Sequence, residues 1–198
     1  LVLYNSLGSW GWLDQYKIIK PENLEVVMGD IRDSSLVDQY VEGCDLVFHL
    51  ASLISIPYSY SAAESYVETN IRGTLNVLQA ARRSGSRVIH TSTSETYGSA
   101  QYVPIDERHP LNAQSPYAAS KIAADQLALS FHRSYDMPVS IIRPFNTYGP
   151  RQSTRAIIPT VIKQLLSGSN SLRLGNLDPT RDFNFVEDTV NAFVAVGD

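Results

Sequence analysis

Arg87-Val-Ile-His-Thr-Ser-Thr-Ser-Glu-Thr-Tyr-Gly98 runs from an apolar strand into a polar turn, and Ser115-Pro-Tyr-Ala-Ala-Ser-Lys121 opens a helix a short loop later. Thr93, Ser94 and Glu95 fall where the strand ends, so they are candidates to line a cleft. In the second stretch Ser115 suits the cap, Pro116 the first helical position, and Tyr117 and Lys121 stand one turn apart on one face. That spacing sets a phenol beside an ammonium. A nearby cation favours the ionised phenol, and a tyrosine of lowered pKa can take a proton from a sugar or alcohol hydroxyl. Spacing alone more often marks a packed aromatic beside a solvated charge. The Thr-Ser-Glu cluster one strand earlier favours the chemical reading.

Outward from that pair, apolar strands alternate with helical patterns. Leu1–Tyr4, Leu24–Met28, Asp45–Leu50, Val88–Ile89, Pro138–Ile142 and Phe183–Val186 read as strands, with Arg173–Leu174 a possible short one. Asp45–Leu50 lacks alternation, the pattern of a strand covered on both faces. Helices are expected over Leu36–Val41 stopping at Gly43, over Val67–Ala81 closing at Gly85, and over Tyr117–Ser134, Ile157–Leu166 and Glu187–Val196. Lys17–Asn23 reads as a connector. Such alternation argues for a doubly wound α/β fold, a parallel sheet with helices on both faces.

The chain has 198 residues, 43% hydrophobic and 18% charged, the composition of a globular domain. A net charge of −4 without a basic block gives no footprint for nucleic acid. No apolar run reaches the roughly 18 residues of a spanning helix, and the amino end carries no signal-peptide pattern, so a cytoplasmic protein without a membrane partner is expected. Leu1 looks like the interior of a protein. The one cysteine, Cys44, excludes an internal disulfide and a cysteine-built metal site, and its place ahead of an apolar strand suggests a buried, inert thiol. No metal is expected. His49 and His90 lie in apolar strands where satisfied core histidines are the usual outcome, and they and His109 and His132 receive no role.

A set of segments then matches one family in order: Gly29-Asp-Ile-Arg-Asp33, Phe48-His-Leu-Ala51, Glu68-Thr-Asn-Ile-Arg-Gly-Thr-Leu75, Ser92–Gly98, Tyr117 with Lys121, Arg143-Pro-Phe-Asn-Thr-Tyr-Gly-Pro150 and Arg181–Asp188. Together they resemble the extended short-chain dehydrogenase/reductases, the NAD-dependent epimerase/dehydratase family acting on nucleotide-linked sugars. Thr-Ser-Glu at this place is similar to the 4,6-dehydratases. Asn5–Leu13 and Thr180–Phe185 most resemble the dehydratases that open bacterial legionaminic-acid biosynthesis from a nucleotide-linked N-acetylglucosamine. The family opens with a strand and a glycine-rich turn for the dinucleotide's pyrophosphate, yet no G-x-x-G-x-x-G occurs here. The chain is therefore expected to start at the family's second strand and to leave a gap at the centre of a sheet ordered 3-2-1-4-5-6. It would stop before the rest of the substrate-binding portion and could not close the pyrophosphate site alone.

The resemblance implies an NAD(P)-binding Rossmann-like domain over 1–150 and the start of a substrate region over 151–198. It places Asn5 and Ser6 at the end of the second strand, where no carboxylate repels the extra phosphate of NADP and no arginine attracts it; NAD is slightly favoured, with NADP the alternative. Asp30 and Ile31 would hold and cover the adenine, and Leu50, Ala51, Ser52, Asn70 and Pro144 would complete the cofactor site with Tyr117 and Lys121. Asn146 and Arg181 would bind the substrate diphosphate, Arg181 by a guanidinium fork, with Arg151 another candidate. Tyr58, Tyr60 and Tyr66 could line the sugar pocket.

The implied reaction is a 4,6-dehydration of UDP- or GDP-linked N-acetylglucosamine. Tyr117 would take the C4 hydroxyl proton, Lys121 would hold the cofactor ribose and lower the tyrosine's pKa, Thr93 would bond the reacting oxygen, and Glu95 would take the C5 proton, with Ser94 beside it. A homodimer through the helices of Tyr66–Ala81 and Tyr117–Ser134 is implied too. The alternatives are a UDP-glucuronate decarboxylase, a nucleotide-sugar 4-epimerase, or a non-catalytic NAD(P)-binding protein.

Overall fold

The structure, a computed structural model, describes residues 1–15, 22–168 and 170–198. The expected connector over 17–23 therefore lies mostly outside the described residues. β1 (Val2–Leu3) and β2 (Met28–Gly29) pair in parallel, Val2 opposite Met28. A second parallel sheet is ordered β3-β4-β5, from Leu46–His49, Arg87–Thr91 and Val139–Ile142. β6 (Asn146–Tyr148) and β7 (Phe183–Phe185) form a third parallel pair. Among the described residues β1 and β3 share no ladder. The division falls where the 3-2-1-4-5-6 order places its first strand, and the arrangement is the doubly wound α/β fold.

Helices join the strands. α1 (Ser34–Val41) is capped by Asp33, whose Oδ1 accepts the Ser35 and Leu36 N–H groups at 3.0 and 3.2 Å. α2 (Ile56–Ser59) and α3 (Ala63–Tyr66) lead through a π-helical stretch, Val67–Arg72, into α4 (Gly73–Ser84), which closes on left-handed Gly85. α5 (Pro116–Tyr135), α6 (Ile157–Leu166) and α7 (Val186–Gly197) complete the set. None of the described helices is long and apolar enough to cross a membrane.

The core sits between α1, α4 and α5 on one face of the β3-β4-β5 sheet. Val37, Val77, Leu78, Ala81, Val88, Ala128 and Phe131 meet there, and each large apolar side chain stabilises the fold by about 1.5–3 kcal/mol through burial. The sheet also fixes the site. Thr91 pairs with Ile142, and the ladder continues past its regular end as Ser92 N donates to Ile142 O at 2.7 Å and Ser94 N to Pro144 O at 3.1 Å.

Several expectations are corrected. Arg173–Leu174 is no strand: the Gln164 side chain takes both backbone groups of Arg173, Oε1 accepting its N–H at 2.7 Å and Nε2 donating to its carbonyl at 3.0 Å. A ladder partner has nothing left to bond. β3 is not covered on both faces, since Phe48 is 42% exposed while His49 is buried. The second strand is confined to Met28–Gly29, and Cys44 is only half-buried, with its thiol directed to the Tyr40 carbonyl.

Candidate active site

Tyr117 lies in the first turn of α5, almost wholly buried. Ser115 caps that helix, its Oγ accepting the Ala118 N–H at 3.1 Å. Opposite stands the turn after β4. Thr93 shapes it into a 3₁₀ turn over Ser94–Tyr97 by accepting the Glu95 N–H on Oγ1 at 3.2 Å. The Thr93 hydroxyl and the Glu95 carboxylate both bear on the Tyr117 phenol, the first lowering its pKa and the second raising it. Thr93, Glu95 and Tyr117 are thus brought together at the end of β4, with half-buried Ser94 between them in sequence and Pro144 anchoring the turn.

The lowered phenol expected from the Tyr117–Lys121 spacing is not what the fold produces. Burial raises the phenol above its ordinary value, the Glu95 charge adds to this, and the Thr93 hydroxyl opposes it. Lys121 sends Nζ to the Thr91 carbonyl at 2.5 Å. Its own burial pulls the ammonium down to about 8, against the opposing charge of Asp125.

A cavity of about 410 Å³ opens between the ends of β1, β2 and β3. Asp30, Ile31, Ala51 and Ser52 line it, as does Tyr58. Ile31 can lie there because Gly73 has no side chain: a Cβ at that position would stand 2.5 Å from Ile31 Cδ1. Arg32 holds the Asp30 carboxylate, Nη2 donating at 2.6 Å, and this hydrogen bond keeps Asp30 below its ordinary pKa.

Other predicted residues stand apart from the cavity. The Asn5 side chain closes its own loop, Oδ1 accepting from Leu7 and Ser9 N–H groups and Nδ2 donating to Ser9 O at 2.7 Å. Ser6 and Leu50 are exposed. Asn70 sits in the π-helical stretch, buried, and binds the Leu53 backbone on both sides, Oδ1 accepting at 2.8 Å and Nδ2 donating at 3.0 Å; Nδ2 also reaches Ser120 Oγ at 2.9 Å. It ties the loop after β3 to α5. Asn146 and Arg181 come near each other through the β6-β7 pairing, where Asn146 N donates to Asp182 O at 3.1 Å. Arg151 reaches back to Gln15 Oε1 at 2.8 Å, its guanidinium 5.5 Å from the Trp12 ring. Tyr66 is buried, its hydroxyl donating to Ser55 O at 2.5 Å and its ring 6.2 Å from that of Tyr117, whereas Tyr60 is exposed.

Sequence reasoning missed a buried polar layer beneath Tyr117 and Lys121. Asp125, one turn beyond Lys121, has no exposed surface. Its Oδ2 accepts Ser92 Oγ at 2.8 Å and Arg143 Nε at 3.0 Å, with Arg143 Nη2 in ion-pair contact at 2.9 Å, while His90 Nε2 stands 3.3 Å from Oδ1 in a poorly aligned contact. Burial acts to raise the Asp125 pKa, but the His90 and Ser92 contacts and the Arg143 charge outweigh it and leave the carboxyl lowered. His49 pairs with Thr74 Oγ1 at 2.9 Å; because that hydroxyl donates to Asn70 O at 2.6 Å, His49 Nε2 is the donor. Burial lowers both His49 and His90, so both rings are neutral near pH 7. The signal for Asp125 was its place four residues after Lys121, with Arg143 at the next strand's end.

The family model described as GDP-mannose 4,6 dehydratase matches residues 1–197. A dTDP-glucose 4,6-dehydratase of Streptomyces antibioticus is 38% identical over 163 residues, 82% of this chain and 49% of its own length. A UDP-glucose 4-epimerase of Mycolicibacterium smegmatis is 36% identical over 182 residues, 89% of this chain and 58% of the relative. The chain thus spans about half the length of the curated relatives it matches. Among solved structures, DesIV, a dTDP-glucose 4,6-dehydratase from Streptomyces venezuelae solved with NAD bound, superposes with a TM-score of 0.85 at 36% identity, covering 94% of this chain and 59% of that one.

Proposed function

Because the chain belongs to the family described as GDP-mannose 4,6 dehydratase, which takes in nucleotide-sugar 4,6-dehydratases and epimerases, we propose that it carries the catalytic centre of an NAD-dependent nucleotide-sugar 4,6-dehydratase. The observation that carries this reading is the turn at the end of β4, which Thr93 shapes by accepting the Glu95 N–H and which sets Thr93 and Glu95 close enough to the Tyr117 phenol to shift its pKa in opposite directions.

The cavity beside Asp30, Ile31, Ala51 and Ser52 fits the adenosine end of a dinucleotide: Ile31 offers an apolar wall and Asp30 a polar rim. NAD, when bound, supplies a hydride acceptor at the sugar's C4 and a hydride donor at C6. Tyr117 accepts the C4 hydroxyl proton, with the Thr93 hydroxyl favouring the phenolate. The C4 carbonyl so formed acidifies the C5 hydrogen. Glu95 takes that proton, and the C6 hydroxyl leaves as water. Ser94 is no acid near neutral pH, so the leaving water's proton comes from Glu95, directly or through water. A hydride at C6 and a proton at C5 then complete the 4-keto-6-deoxy sugar, with one water lost and no net oxidation. Lys121 holds the cofactor ribose in this reading, and Asn146 and Arg181 hold the substrate diphosphate.

The likeness of Asn5–Leu13 and Thr180–Phe185 to the legionaminic-acid dehydratases supports N-acetylglucosamine on UDP or GDP as the sugar. The family resemblance supports a homodimer through the helices of Tyr66–Ala81 and Tyr117–Ser134. A 4-epimerase is the second reading, favoured by the mycobacterial epimerase's comparable identity. Incubating the protein and NAD with UDP- and GDP-N-acetylglucosamine and with dTDP-glucose, followed by mass spectrometry, tests both assignments. One of the first two should lose a single water, and Glu95→Gln should slow that loss about 10²–10⁴-fold. Loss from dTDP-glucose alone would correct the sugar, and no loss from any would overturn the dehydratase.

A further inference from the structure

The turn that carries Glu95 is held at both ends, and the second tether runs through the buried layer. At its start, Ser94 N donates to Pro144 O at 3.1 Å, and Thr93 faces Tyr117 on α5. At its end stands Tyr97, which is 3% exposed and whose hydroxyl accepts Arg143 Nη1 at 3.1 Å. The Arg143 guanidinium lies 5.3 Å from the centroid of the same ring. Its remaining edge is committed to Asp125 through Nε and Nη2, so one planar group bonds α5 on one side and the far end of the 3₁₀ turn on the other. A lysine could match the charge but could not make this fork. Desolvating a carboxylate as deep as Asp125 costs several kcal/mol. That outlay goes into a strut between the helix bearing Tyr117 and the turn bearing Glu95.

We propose that Arg143, seated on Asp125 and bonded to Tyr97, is a positioning residue that holds the Glu95 turn at a fixed distance from Tyr117. The proposal rests on Glu95 being the elimination base. Oxidation at C4 needs Tyr117, already fixed within α5, whereas elimination needs Glu95 placed by the turn. Loosening the strut therefore slows the second step and spares the first.

The experiment is a single-turnover comparison of wild type, Tyr97→Phe, Arg143→Lys and Glu95→Gln, all with NAD and the nucleotide sugar that wild type dehydrates. Reduced-nicotinamide absorbance reports C4 oxidation, and mass spectrometry reports loss of water. Tyr97→Phe keeps the ring against His109 and leaves the Asp125–Arg143 pair intact, so it preserves the fold even where Arg143→Lys does not. The expected result for Tyr97→Phe is oxidation within about twofold of wild type, elimination slowed about 10-fold, matching the loss of one hydrogen bond to a charged group, and an unchanged KM. Reduced nicotinamide should then build up transiently. If Glu95→Gln blocks elimination while Tyr97→Phe partitions like wild type or slows both steps alike, the positioning role is overturned. If Glu95→Gln eliminates at the wild-type rate, the assignment of Glu95 falls, and this inference with it.

Discussion

Thr93 has two partners, and the balance between them sets the chemistry of the site. Its Oγ1 accepts the Glu95 N–H and so shapes the turn, and the same hydroxyl favours the Tyr117 phenolate against burial and the Glu95 charge. Replacing Thr93 with Val removes the hydroxyl's bond to Glu95 N and its effect on Tyr117, and almost none of the volume. The Tyr117 pKa then rises further, the deprotonated fraction at a given pH falls, and the acidic limb of the kcat–pH profile moves to higher pH. A loss of about 10-fold in kcat at neutral pH, the worth of one such hydrogen bond, is expected, and an unshifted profile would take Thr93 out of the proton transfer. Lys121 shows a different balance. Its helix spacing from Tyr117 was legible, but its direction was set by the strand carbonyl of Thr91, which no local pattern in α5 announces.

At the scale of elements, the turn after β4 depends on how it leaves the site as much as on how it enters. Gly98 ends it at φ 66°, ψ −145°, a conformation that side chains resist, and a Cβ there would stand 2.4 Å from the Asn112 carbonyl. Gly98→Ala should destabilise the fold by about 2–4 kcal/mol from strain and overpacking together, read as a lower denaturant midpoint. A midpoint unchanged from wild type would mean that the loop to Asn112 gives way freely. Much at this scale was legible in the sequence. Ile157–Leu166 has the bounds that apolar spacing gave, and Ser115 and Gly85 close their helices as their chemistry suggests. What escaped depended on contacts far along the chain. Gln164 takes the backbone of Arg173 and so abolishes a strand that composition favoured, and β6 exists only because Asn146–Tyr148 meets Phe183–Phe185. The Asp125–Arg143–Tyr97 strut joins three segments, each of which reads alone as ordinary helix, strand end or turn.

Across the whole molecule, the parallel ladders gather separate tasks at their strand ends. The cavity beside Asp30 and Ile31 lies at the ends of β1, β2 and β3, the Thr93–Tyr117 cluster at the end of β4, and Asn146 on β6 with Arg181 just before β7. In open α/β sheets ligands sit outside the carboxyl ends of the strands, as the cavity after β2 and β3 and the cluster after β4 do, whereas Asn146 and Arg181 lie at the amino ends of β6 and β7. The central claim is that hydride taken from C4 is returned to C6, and this is open to an isotope tracer. The protein with NAD would be given its nucleotide sugar deuterated at C4, and the product examined by NMR and mass spectrometry. The account predicts a product lighter by one water, with the deuterium in its C6 methyl group. Deuterium restored to C4 of a sugar of unchanged mass would contradict it and make the chain an epimerase.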